Sequence, residues 1–235
     1  MSSAADFVYE DIAYTLVRSP RRKRVGLVMA RHGIEVRIPQ RCAEVHGHRF
    51  LQDNIEWVRA QLSRARSRAA EVPKHRYQWG ETFPWLGRRL VLQRAERAAD
   101  AGIDHSEIRL YTRERMPEPA RLQAALQKLY QREALALLTE KSERLAARLG
   151  LRPAAVRVRR TRSKWGHCTL RGELQYNWLV CLAPEPVVDY LVTHEVCHMR
   201  HHNHSRDFWQ LVEQFCPDCK TLRRWLRENG HRLVL

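Results

Sequence analysis

Val188-Asp-Tyr-Leu-Val-Thr-His194-Glu195-Val-Cys-His198, running on through Met-Arg-His-His-Asn-His204-Ser-Arg-Asp-Phe-Trp209, is the stretch on which the reading of this chain turns. Pro184 and Pro186 open a helix, as prolines in a first turn do. Val188, Leu191, Val192, Val196 and Met199 then recur at helical spacing. His194 and His198 lie four residues apart, so on that helix they stand one turn apart on one face and can reach a single ion. Glu195 projects about 100° further round, beside such an ion without having to bind it.

Spacing also argues for a third ligand. Continuing the helix to His202 would stack three rings over roughly 12 Å, more than bonds of ~2.1 Å can bridge. The chain must therefore turn back. Asn203 tolerates the left-handed conformation of such a turn, and Ser205 can cap a new helix carrying Phe208, Trp209, Leu211, Val212 and Phe215. On this geometry His204 is the better third ligand, with His201 and His202 facing solvent or substrate. Five of the 12 histidines fall within residues 194–204, where composition alone would place about half of one. The plainer readings of the same residues are a charged helix end with histidines near its C-terminal dipole, or a purely structural metal. Zinc suits the imidazole set, and a catalytic zinc keeps three protein ligands and a water whose pKa it lowers toward ~7, leaving Glu195 to take the proton.

Upstream, Val156-Arg-Val-Arg-Arg-Thr-Arg162 reads as a strand whose parity carries Arg160, Arg162 and Lys164 onto the valine side, so that a bulge or a departure from the core is expected there. Glu173 to Trp178 is a second strand, reached through Arg171-Gly172. Leu122, Leu126, Leu129, Leu137, Leu145 and Leu149 mark one long helix from Pro119, with Gly150 at its end and Pro153 beyond.

The first hundred residues read as short strands with one helix. Ile12–Val17, Val25–Met29 and Ile34–Ile38 flank a basic turn at Arg18–Arg24 and a second turn at His32-Gly33, and together suggest an antiparallel meander. Asp53 caps a helix that Pro73 stops. Leu86-Gly87 turns into a strand at Leu90–Leu92, and Ile108–Tyr111 is another. The change of period near residue 115 divides the chain into a β-rich region, 1–115, and a metal-site region, 116–235, with a soft boundary that allows one integrated domain.

The 235 residues carry 42 Lys+Arg against 26 Asp+Glu, a net charge of +16. Such a charge favours polyanions and predicts nonspecific nucleic-acid affinity, but says nothing about fold. The hydrophobic fraction of 44% excludes a largely disordered chain. No run approaches the ~18 apolar residues of a membrane span, and the start lacks a basic region followed by an apolar one, so no membrane partner is expected. The six cysteines are read as reduced thiols of a cytoplasmic protein, Cys216 and Cys219 included, because no second CxxC accompanies that pair.

Arg162-Ser-Lys-Trp-Gly-His-Cys168, Leu174 to Trp178, and the His194 to Trp209 segment together resemble the YgjP-like metal-dependent hydrolases, minimal zincins akin to SprT-like and Wss1-like peptidases. The Tyr14 to Pro39 and Leu86-Gly87 patterns extend the resemblance over most of the chain. It implies an α+β fold with an active-site helix against an antiparallel sheet, a metal on His194, His198 and His204, and Glu195 as general base. His201 occupies the position of the metzincin glycine, which separates the chain from metzincins proper, and His167 stands where the Trp-Gly motif has a small residue.

The expected activity is zinc-dependent hydrolysis of a peptide or protein substrate, with Arg160, Arg162, Lys164, Trp165 and His202 as candidate substrate contacts. Trp165 has an alternative reading as the packing residue of a tight turn. Two other functions fit the composition: a metal-dependent nucleoside triphosphate pyrophosphatase using Arg160, Arg162 and Lys164, and a nucleic-acid-binding module with a structural metal, in which Glu195 would have no task.

Overall fold

The computed structural model describes residues 4–30 and 33–235. His32, read above as part of a turn, lies outside them. The chain forms two compact units, Met1–Glu71 and Val72–Leu235, and its class is α+β. The period change near residue 115 falls inside the second unit.

In the first unit, β1 (Ala4–Tyr9), β2 (Ile12–Ser19), β3 (Gly26–Ala30) and β4 (Gly33–Pro39) are followed by α1 (Glu44–Asp53) and α2 (Ile55–Glu71). The strands pair in the order β1-β2-β4-β3, with β2 and β4 parallel. This is two hairpins laid side by side, where a meander was expected. The reason lies in burial: Ile12, Tyr14 and Leu16 of β2 and Ile34, Val36 and Ile38 of β4 alternate into the core, so these strands take the centre and leave the less buried β1 and β3 at the edges. Gly47 explains why α1 escapes an apolar-stripe search. A Cβ there would stand 3.0 Å from both Ile38 and Leu16, so the helix approaches the sheet through a glycine.

The second unit begins with the same topology: β5 (Thr82–Trp85), β6 (Arg88–Arg94), β7 (Gly102–Ile103) and β8 (Glu107–Leu110) in the order β5-β6-β8-β7, again with a parallel central pair. Leu86 and Gly87 both have positive φ, 49° and 79°, as a two-residue hairpin turn of matching twist requires. A Cβ on Gly87 would lie 2.9 Å from Pro184 Cα, and Leu86 N donates to Cys181 O at 2.7 Å. The hairpin is thereby seated at the start of the helix that carries the histidines.

Next comes α3 (Pro119–Arg148), ended by a Schellman motif: Leu151 N donates to Ala146 O and Gly150 N to Ala147 O, with Gly150 at φ 67°. β9 (Ala155–Arg159), β10 (Gly166–Cys168) and β11 (Glu173–Asn177) form a third sheet in the order β10-β11-β9. It too is mixed, β10 antiparallel and β9 parallel to β11. The chain closes with α4 (Glu185–Cys197), α5 (Arg206–Phe215) and α6 (Cys219–Asn229). One core joins these parts: Leu92 and Ile108 from the second sheet, Leu126 and Leu138 from α3, Tyr176 from β11, and Val188 and Val196 from α4. Among the described residues no helix is long and apolar enough to cross a membrane.

Inside this core, α3 grips α4 with a charge. Lys141 Nζ, its side chain 7% exposed, donates to Glu185 Oε1 and Asp189 Oδ1, each at 2.7 Å, while both carboxylates are half exposed. Lys141→Met keeps the packed stem and leaves two carboxylates that water can solvate, so urea unfolding should record a loss of only about 1–2 kcal/mol. Glu185→Gln with Asp189→Asn strands the buried ammonium and should cost more, about 3–5 kcal/mol. Equal losses for the two variants would mean that the ammonium is already hydrated.

Candidate active site

α4 ends at Cys197, one residue before His198, and the chain reverses over the eight residues 198–205 into α5. Ser205 caps the new helix as the sequence implies, its Oγ accepting from Phe208 N at 3.3 Å. The reversal differs from expectation in one respect. Asn203 is not among the positive-φ residues; it acts through its side chain, whose Oδ1 accepts from Ser205 N at 3.3 Å. An Asx-type bond closes the turn without left-handed backbone.

The reversal brings His204 back onto the α4 histidines. His194 Nε2 lies 3.2 Å from His198 Nε2 and 3.2 Å from His204 Nε2. The three side chains form a group whose ligand atoms all lie within 4.8 Å of one another. α5 clamps them from one side: Phe208 stacks on His198 with centroids 4.3 Å apart, and Trp209 on His204 at 5.7 Å. His198 Nδ1 donates to the carbonyl of His201 at 2.9 Å, which fixes its tautomer and leaves the Nε2 lone pair facing inward. His194 Nδ1 is buried without a partner, so no neighbour selects that tautomer.

These distances fit a metal. Two bonds of ~2.0–2.1 Å meeting near 100° put their nitrogens about 3.2 Å apart. A neutral His194 has at most one Nε2 proton, which can serve one of the two 3.2 Å contacts, whereas a cation at the centre satisfies all three lone pairs. Burial, joined by the charges of His198, His204 and Arg223, pushes His194 down to about 3, and burial also lowers His198. A proton therefore does not compete for the His194 nitrogen near neutral pH, and burial weakens its hold on His198.

Glu195 is 3% exposed and forms no hydrogen bond or ion pair among the described residues. Burial pushes its carboxyl up to about 8, against the opposing charge of Lys164. What holds it in place is Gly166 on β10, which sequence reading passed over. A Cβ at that position would stand 2.2 Å from Glu195 Oε1 and 2.5 Å from its Cδ. The strand can lie against the acid only because residue 166 has no side chain.

Two cavities meet at this point. The first, about 760 Å³, is walled by the β10–β11 hairpin, including His167 and Cys168, and by His202. The second, about 730 Å³, is walled by Trp165, Tyr190 and α6. Lys164, Gly166, His194, Glu195 and His204 line both.

Of the expected substrate contacts, Lys164, Trp165 and His202 therefore border the site, whereas Arg160 and Arg162 line neither cavity. The strand ends at Arg159, and the loop after it is tied down by Thr161, whose Oγ1 bonds to Lys164 O and whose carbonyl accepts from Asn177 Nδ2 at 3.1 Å. Trp165 is also a packing residue, since a Cβ on Gly230 would lie 2.8 Å from its ring. The sheet edge beside the histidines is β10; β9, with Arg157, is the opposite edge.

None of the curated proteins compared with this chain matches it. Among solved structures, the crystal structure of the metallopeptidase zymogen of Pyrococcus abyssi abylysin is 22% identical, over 41% of this chain and 99% of that one, with a TM-score of 0.36. The model of the YgjP-like family, a metallopeptidase domain, matches residues 23–229. That span takes in the histidine triad, Glu195, Gly166 and the greater part of both units, and this chain belongs to the YgjP-like metallopeptidase family.

Proposed function

We propose that this protein is a zinc-dependent peptidase in which His194, His198 and His204 hold the ion and Glu195 handles the proton. The observation that carries the reading is a buried, uncommitted carboxylate set beside three converging imidazole nitrogens. Zinc suits a set with three nitrogen donors and no carboxylate among them, whereas magnesium asks for oxygen ligands. When bound, zinc acidifies a water and polarises the carbonyl of the scissile bond. With the charge of that ion offsetting the burial of its carboxyl, Glu195 would take up a proton from the attacking water and return it to the departing amide nitrogen.

The rest of the cleft supports a peptide as substrate. Among the described residues β10 is hydrogen-bonded on one side only, to β11, and its residues line the cavity at the triad. An extended chain can therefore be held by strand addition. Lys164 and His202 line the cavity at the triad, which supports assigning them to the oxyanion that would develop on the carbonyl. The pyrophosphatase reading needed Arg160, Arg162 and Lys164 together, and of these Lys164 alone borders the cleft.

Glu195→Gln is expected to retain about one zinc per chain, measured by metal analysis, while casein hydrolysis falls by a factor of 100 or more, on the order of general acid–base losses. Zinc loss with hydrolysis retained would refute the assigned role. His204→Ala should weaken zinc binding at least ~100-fold in a chelator competition and His202→Ala should leave it within ~3-fold; the opposite ranking would make His202 the third ligand. Gly166→Ala should leave zinc binding intact and cut hydrolysis at least ~10-fold by displacing the acid. Normal turnover in that variant would show that β10 can move aside.

A further inference from the structure

The two cavities that meet at the triad differ in charge. α6 presents Lys220, Arg223, Arg224 and Arg227 at spacings of three, one and three residues, which is one face of a helix. All four are exposed and all four line the second cavity, with Lys164 across from them. The one carboxylate among the lining residues is Glu195. Lys220 is offset by Glu213 at 2.8 Å, and Arg227 has Glu228 at 3.6 Å. Arg223 lies over the Trp209 ring, 4.9 Å from its centroid. Among the described residues, Lys164, Arg223 and Arg224 form no salt bridge. The first cavity is instead lined by Glu173 as well as Arg171 and Lys164, together with uncharged hairpin residues.

The direction of a bound peptide follows from β10. The strand runs from Gly166, which borders both cavities, to Cys168, which borders the first alone. Antiparallel pairing is the more stable kind, and a peptide added in that sense enters along the hairpin and leaves toward α6. The residues that follow the scissile bond are then the ones that meet the basic face.

We propose that the α6 side of the cleft is a carboxylate-selecting subsite, formed by Lys164, Arg223, Arg224 and Arg227, which favours peptides with Asp or Glu just C-terminal to the cut. This inference rests on the peptidase reading for its direction, but the charge selection itself does not need catalysis. A free C-terminal carboxylate offers the same chemistry as an acidic side chain.

Two measurements test it. Zinc-loaded protein is given a mixed peptide library, and the cut sites are mapped by mass spectrometry. In parallel, zinc-loaded Glu195→Gln protein is titrated with labelled peptides that are identical except for paired Glu, Gln or Lys, each made with an amidated and a free C-terminus. The expected results are enrichment of Asp and Glu in the first two positions after the cut, and about tenfold tighter binding of the Glu than the Gln peptide at low salt, shrinking as salt is raised. Arg224→Glu with Arg227→Glu should turn that preference toward Lys. A gain that follows the free C-terminus assigns the subsite to terminal carboxylates. Cut sites without acidic enrichment, or equal binding of the Glu and Gln peptides, overturn the proposal. If no peptide is cut, the peptidase reading fails, and the binding arm still decides the subsite. An oligonucleotide of equal charge that binds more tightly than the Glu peptide also overturns it, in favour of nucleic acid.

Discussion

The site depends on one steric condition: a strand must pass close enough to α4 to bury Glu195 without touching its oxygens. Gly166 meets that condition, and much else follows from it. The acid is withdrawn from bulk water, which pushes its pKa up until a neighbouring cation offsets the burial, and it is left without a hydrogen-bond partner that would compete for its lone pairs. The same close approach places the free edge of β10 beside the histidines. The acid, the imidazoles and a place for an extended chain are thus set by a single contact between α4 and the third sheet.

The remaining architecture keeps α4 where that contact needs it. α3 supplies a buried ammonium to two carboxylates on the first turns of α4. The second sheet places its hairpin turn against Pro184, with a glycine at the point of closest approach. α5 closes the other side with Phe208 and Trp209, whose rings restrict the rotamers of His198 and His204 and so would lower the entropy lost on binding the ion proposed for these histidines. Two of these supports act on the start of the helix and the third on the end that bears the histidines.

How much of this was legible in the sequence depended on distance along the chain. The triad and Ser205 lie within twelve residues, so spacing and capping rules sufficed to bring His204 rather than His202 to the centre. The boundaries of α3 were readable from Pro119 and Gly150 for the same local reason. The order of strands was not, because it is decided by which strands bury alternate residues under the covering helix rather than by the turns between them. α1 was missed because its contact face is Gly47 and Leu51, too few apolar residues to register as a stripe. Gly166 carries no local signal, because the contact that demands a glycine there is with Glu195, 29 residues later. Arg160 and Arg162 were placed at the site by parity, which stops applying where the strand stops, at Arg159.

The free edge of β10 has a second consequence. An unpaired strand edge invites pairing with any other exposed strand, including that of another copy, and so carries a risk of aggregation. Here the exposed ladder is three residues long and is preceded by Lys164 and followed closely by Arg171. So short a template offers few main-chain bonds to a passing strand, and charge at either end repels basic neighbours such as another copy of this chain. The edge can therefore remain open to incoming peptides while offering little purchase for self-assembly.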